Sequence, residues 1–199
     1  MRYWLLTSTT YGTWLPGDAR GSVTSVRDRR ASDAAGCNRL EHRCPGDAYE
    51  PPMKGLRQSA LATMRAEPVW LDGPHAQTLL YQFQETAEHR GWALLAASVM
   101  ANHFHLVVRV TNDPEPRRVL ADFKAYGSRS LNRRFGEPAS GDWWTSGGSK
   151  RKLPDEAAVL AAVNYVLHRQ PNPLVTWPPT SDRRAGSVSD RSATRDTHQ

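Results

Sequence analysis

Cysteine is scarce in this chain of 199 residues: there are two, Cys37 and Cys44, with His42 between them. Their spacing does not match ordinary zinc-ligand spacing, and nothing marks the chain for secretion, where a disulfide would be expected. Long apolar runs are missing too, since no stretch approaches the roughly eighteen residues that a membrane span needs. The first residues lack the charged region, apolar core and small-residue cleavage site of a signal peptide. These absences point to the cytoplasm and away from a membrane partner. No internal repeat is visible. Acidic side chains are outnumbered, 20 against 26 Lys and Arg, for a net charge of +6. That balance favours a polyanionic partner such as nucleic acid.

What is present reads as one domain with additions. Tyr3 to Thr10 is β-branched and aromatic and reads as a strand. Gly17 to Pro52, rich in Gly, Asp, Arg, Ser and Pro, reads as an inserted loop that bound DNA could order. Leu56 to Glu67 suggests a short helix, and His75 to His89 an amphipathic one stopped near Gly91. Trp92 to Met100 and His103 to Val110 read as antiparallel strands joined at Ala101-Asn102. Pro116 to Phe135 reads as a long helix, and Trp143 to Leu153 as a hairpin around Gly147-Gly148. A domain over residues 1–177 is followed by a polar tail, 178–199, expected to be disordered. The order of elements suggests an α+β sandwich of antiparallel sheet and helices.

Three groups of residues could carry chemistry. The first is His103-Phe104-His105. On a strand, residues i and i+2 share a face, so two imidazoles would stand side by side with Phe104 behind them. They form half of a divalent-metal site, or simply a strand with two partly exposed histidines; spacing alone leaves both open. The second is the helix after Pro154, whose stripe of Val159, Ala162, Val163, Val166 and Leu167 carries Tyr165 at its side, with His168 on the same face. That tyrosine fills a core edge or serves a site. The third is a set of cations and aromatics: Lys124, Arg129, Arg133 and Arg134 on the long helix, then Lys150, Arg151 and Lys152, which could hold phosphates. Trp143 and Trp144 offer stacking platforms for unpaired bases, whereas Trp4, Trp14 and Trp92 read as core.

Several segments in order resemble one family. Met1 to Leu15, Met100-Ala101-Asn102-His103-Phe104-His105, Phe123 to Leu131, Trp143 to Lys150 and Tyr165-Val166 are similar to the His-hydrophobe-His superfamily. Within it the chain resembles the single-tyrosine transposases of insertion-sequence-200 type and their REP-associated relatives. Ala101 stands where their signature has Pro.

The resemblance implies a ferredoxin-like or RRM-like antiparallel sheet, with helices on one face and the histidines on a central strand. It implies Mg²⁺ or Mn²⁺ held by His103 and His105, and attack by Tyr165 on single-stranded DNA at hairpin-containing elements, giving a 5′-phosphotyrosine. It also implies a nucleoid-associated protein, monomer or homodimer. A third metal ligand usually lies four residues after the tyrosine, where this chain has Arg169, which cannot ligate. His168 is the first replacement by helical spacing and Gln170 the second. Without a third ligand the chain would be a non-catalytic binder of repeat hairpins. An RRM-like RNA-binding module, with histidines and tryptophans as stacking residues, is the remaining alternative.

Overall fold

A computed structural model describes residues 1–20 and 52–178. Most of the segment read as an inserted loop, with Cys37, His42 and Cys44, and almost all of the expected tail lie outside the described residues. The elements run β1 (Arg2–Thr9), α1 (Lys54–Ala62), α2 (Gly73–His89), β2 (Ala93–Val99), β3 (His103–Val110), α3 (Pro116–Phe135), β4 (Ser149–Leu153), α4 (Glu156–His168) and β5 (Val175–Trp177). The strands form one antiparallel sheet in the order β4-β1-β3-β2-β5. Without β5 this is the ferredoxin-like arrangement, an α+β fold as the sequence suggests.

The period-2 alternation of β1 sorts its side chains between two layers. Trp4, Leu6 and Ser8 point to one face with Phe104, Leu106, Val108 and Val110 of β3, where α2 and α3 cover them. Helix α2 starts at Asp72, whose carboxylate accepts the His75 N–H at 3.0 Å, an N-cap of the preferred type. It buries Leu79, Leu80, Phe83 and Ala87. Helix α3 buries Val119, Leu120, Phe123, Gly127 and Leu131, at helical spacing. Gly127 lets the two helices approach, since a Cβ there would lie 3.0 Å from Leu79 Cδ2. Phe83 sits at the centre, 4.9 Å from Phe104 and 5.7 Å from Phe123 between ring centroids.

The expected layer of helices on one face is thus α2 and α3. Helix α4 lies on the opposite face, because its small apolar stripe matches what the odd positions of β1 and β3 present there. Ala162 and Val166 are buried against Val107, Ala96 and Leu153, with Leu5 and Tyr3 alongside. The histidines of β3 share this second face.

Two expectations are corrected. Trp143 to Leu153 is not a hairpin, since β4 pairs with β1 and Trp144 makes a further bridge with Thr10. Gly147 and Gly148 bulge out of that ladder instead. At Gly148 φ is +132° and a Cβ would lie 2.6 Å from Thr7 O, so only glycine fits. The second correction is β5, unanticipated in the sequence, which adds to β2 and draws the chain after α4 back to the sheet.

Candidate active site

His103 and His105 open β3 and project from the same face, their ring centroids 4.9 Å apart and nearly perpendicular. A tight turn precedes them, with the Met100 N–H donating to His103 O at 2.8 Å. Each ring is held through Nδ1. That of His103 donates to Asn102 Oδ1 at 2.6 Å, and that of His105 shares a hydrogen bond of 2.6 Å with the Thr7 hydroxyl across the ladder. The Asn102 contact places the proton of a neutral His103 on Nδ1 and leaves the Nε2 lone pair for a ligand.

Burial pushes the pKa of both imidazoles down, that of His105 to about 3, and proximity to His103 adds to the effect at His105. Both rings are therefore neutral at pH 7, the form that binds metal.

Helix α4 brings Tyr165 to this corner. Its ring centroid lies 5.4 Å from that of His105, edge to face, and the side chain is 42% exposed. The N-cap at Asp155, which accepts the Ala158 N–H at 2.8 Å, sets where α4 begins and hence the turn on which Tyr165 falls. Past the helix, the Gln170 side chain comes near enough to both His103 and His105 to oppose the lowering of their pKa, and its Nε2 donates to Tyr165 O at 3.3 Å. His168 is exposed in the last turn of α4. Among the described residues, no three His, Cys, Asp or Glu side chains gather closely enough to hold a metal ion. Gln170 is the side chain that lies near both histidines.

The expected DNA-binding residues are dispersed. Trp143 and Trp144 are buried, at 6% and 8% exposure, and their indole N–H groups donate inward, to Asn132 Oδ1 and to Ser128 Oγ. They are largely buried core residues whose remaining surface lines an open groove of about 370 Å³ with Lys124 and Ser146. Lys124 donates to the carbonyls of Thr145 and Gly147 at 2.7 and 2.9 Å, bracing the bulge before β4, and burial lowers its pKa. Arg129 lies over the Tyr126 ring, and Arg133 and Arg134 line an open groove of about 560 Å³ between α2 and α3. Helix α3 covers the face away from the histidines, so its cations and the site are on opposite sides of the sheet. On edge strand β4, Arg151 stands opposite Leu5, on the histidine face, while Lys150 and Lys152 stand opposite Leu6 and Trp4 on the other. Sequence reasoning missed Thr7 as an orienting group; its only signal is its register opposite His105.

Residues 60–149 match the model of the family described as "Transposase IS200 like". The chain resembles the IS200-like transposases over that segment. The match includes both histidines and stops short of Tyr165 and Gln170. Among solved structures, a REP-associated tyrosine transposase bound to a REP hairpin is similar at a TM-score of 0.44 and 10% identity, over 83% of this chain and 64% of that one. A candidate transposase from Deinococcus radiodurans R1 is similar at a TM-score of 0.41 and 14% identity, over 85% of this chain and 92% of that one. The chain thus spans less than two thirds of the first of these. No match is found among curated proteins. Among the described residues no helix is long and apolar enough to cross a membrane.

Proposed function

We propose that the protein is a metal-dependent single-strand DNA transposase acting at hairpin-containing elements, with Tyr165 as nucleophile. The observation that carries this reading is the convergence of Tyr165, His103, His105 and Gln170 from two elements and a turn onto one corner of the sheet. The donor set fits a divalent cation: two neutral imidazoles fixed through Nδ1, and an amide side chain near both. Mg²⁺ or Mn²⁺ held by His103, His105 and Gln170 would polarise a phosphate and stabilise the charge that builds on it.

The chain's own part is nucleophilic. A tyrosine hydroxyl is a weak nucleophile at neutral pH, and its partial exposure leaves Tyr165 accessible to a strand laid across this face. The Tyr165 oxygen forms a bond to phosphorus while the bond to the 3′-oxygen breaks. The products are a 5′-phosphotyrosine and a 3′-hydroxyl, the phenolic proton balancing the one gained by the leaving oxygen. The reverse attack by another 3′-hydroxyl rejoins strands without an external energy source. Tyr165 stands beside the histidine of its own chain, so a monomer suffices for this step.

The test is a denaturing gel of the protein with labelled single-stranded hairpin libraries, with and without Mn²⁺. A covalent adduct that needs both the metal and Tyr165 is expected. Adduct persisting in Tyr165→Phe would overturn the nucleophile. Tight binding without adduct in any metal would favour a non-catalytic hairpin binder, and preference for RNA a ribonucleoprotein module.

A further inference from the structure

Arg20 belongs to no strand or helix, yet its guanidinium is firmly held. Nε and Nη2 donate to the two carboxylate oxygens of Asp18 at 2.8 and 2.9 Å, and Nη2 also donates to Thr13 O at 2.8 Å. The guanidinium lies over the Trp14 ring, 4.8 Å from its centroid. Asp18 also accepts the Arg20 backbone N–H at 3.0 Å. A short chain of contacts leads from this clamp to the candidate active site. Thr13 Oγ1 bonds to the carbonyls of Thr10 and Asn102 at 3.0 and 3.3 Å, and the Asn102 side chain accepts from His103. The Arg20 charge is felt at His103, adding to the burial that keeps this ring neutral.

Its Nη1 has no partner among the described residues, so a donor edge remains after the clamp is satisfied. Guanidinium groups match phosphate oxygens in shape as well as charge. One that is already fixed by a carboxylate, a carbonyl and an indole loses little freedom when it takes an anion.

We propose that Arg20 forms a phosphate-binding site beside His103, which holds a phosphodiester of single-stranded DNA next to the bond that Tyr165 attacks. Its place in the reaction rests on the transposase reading; its chemistry requires only a clamped guanidinium with a free edge.

The test is fluorescence anisotropy of the full chain with a labelled single-stranded oligothymidylate, in EDTA and over a range of salt. Arg20→Gln is expected to weaken binding about tenfold and to flatten the slope of log affinity against log salt by about 0.7, the share of one phosphate contact on a single strand. Arg20→Lys should keep the slope and lose only part of the affinity, because it retains the charge without the fork. A merely structural Arg20 would lower the melting temperature and leave the salt slope of the folded protein unchanged. Unaltered affinity and slope in Arg20→Gln, or no binding by the unsubstituted protein, overturns the site. A parallel adduct assay in Mn²⁺ separates the two ideas. Arg20-dependent binding without adduct sinks the transposase reading and leaves the phosphate site. Adduct with Arg20-independent binding does the reverse.

Discussion

Thr7 on β1 and His105 on β3 are cross-strand partners whose side chains share a hydrogen bond of 2.6 Å. The bond occupies Nδ1 and fixes the ring, so that Nε2 is the atom left for a metal. Thr7→Val keeps the shape of the side chain and removes the hydroxyl. Mn²⁺ affinity should fall about tenfold to hundredfold, the usual cost of losing a group that orients a metal-binding histidine. Isothermal titration calorimetry measures this, and equal affinity would show that β3 alone aims the ring.

Gln170 and His168 make opposite predictions. Gln170 lies near both histidines in the turn beyond α4, whereas His168 ends the helix in solvent. Gln170→Ala should therefore lower Mn²⁺ affinity at least about tenfold, with loss of adduct, while His168→Ala leaves both near their starting values. The reverse pattern would mean that the helical face, and not the turn, completes the donor set.

The metal-free protein should also be sensitive to acid. Burial lowers the folded-state pKa of His105 to about 3, from an ordinary 6.5. As pH falls below about 6.5 the unfolded chain takes up this proton before the folded one does, so folding loses free energy. The stability contribution is complete above pH 6.5 and is lost progressively between there and pH 3; His103 shifts in the same direction. Urea midpoints in EDTA at pH 7.5, 6 and 5 should decline in that order. His105→Gln, which cannot titrate, should flatten the decline. A midpoint independent of pH over this range would contradict a buried neutral pair.

The strand with the histidines and the long basic helix were legible because each carries one unbroken pattern. Their bounds, His103–Val110 and Pro116–Phe135, are those of β3 and α3. Strand β5 was not legible: three residues ending before Pro178 show no alternation that a loop would lack. Gly147-Gly148 carries a turn signal, but what glycine answers there is the close approach of Thr7 O, a contact between residues far apart in sequence. Gln170 was reachable only as a substitute for a helical position, because it lies in a turn where counting by 3.6 has no meaning. The charge of α3 was visible in the sequence, but not the side of the sheet on which it falls. Helix patterns give an apolar stripe, and only the topology assigns that stripe to a face.

Trp144 tests whether the aromatic pair contributes packing or recognition. Its indole N–H donates to Ser128 Oγ at 2.8 Å and to Lys124 O at 3.1 Å, and its ring meets Phe104 edge-on at 5.2 Å. Trp144→Phe shrinks a buried ring and leaves both acceptors without this donor. The cost should be about 1–3 kcal/mol, which lowers the melting temperature by roughly 2–4 °C per kcal/mol in a protein of this size. Because the residue is only 8% exposed, affinity of the folded protein for a single-stranded oligothymidylate should stay within about twofold of the starting value. Both quantities are needed, by differential scanning calorimetry and by anisotropy well below the transition. A clear loss of affinity at an unchanged melting temperature would return Trp144 to a stacking role and would require the 143–147 segment to open when DNA binds.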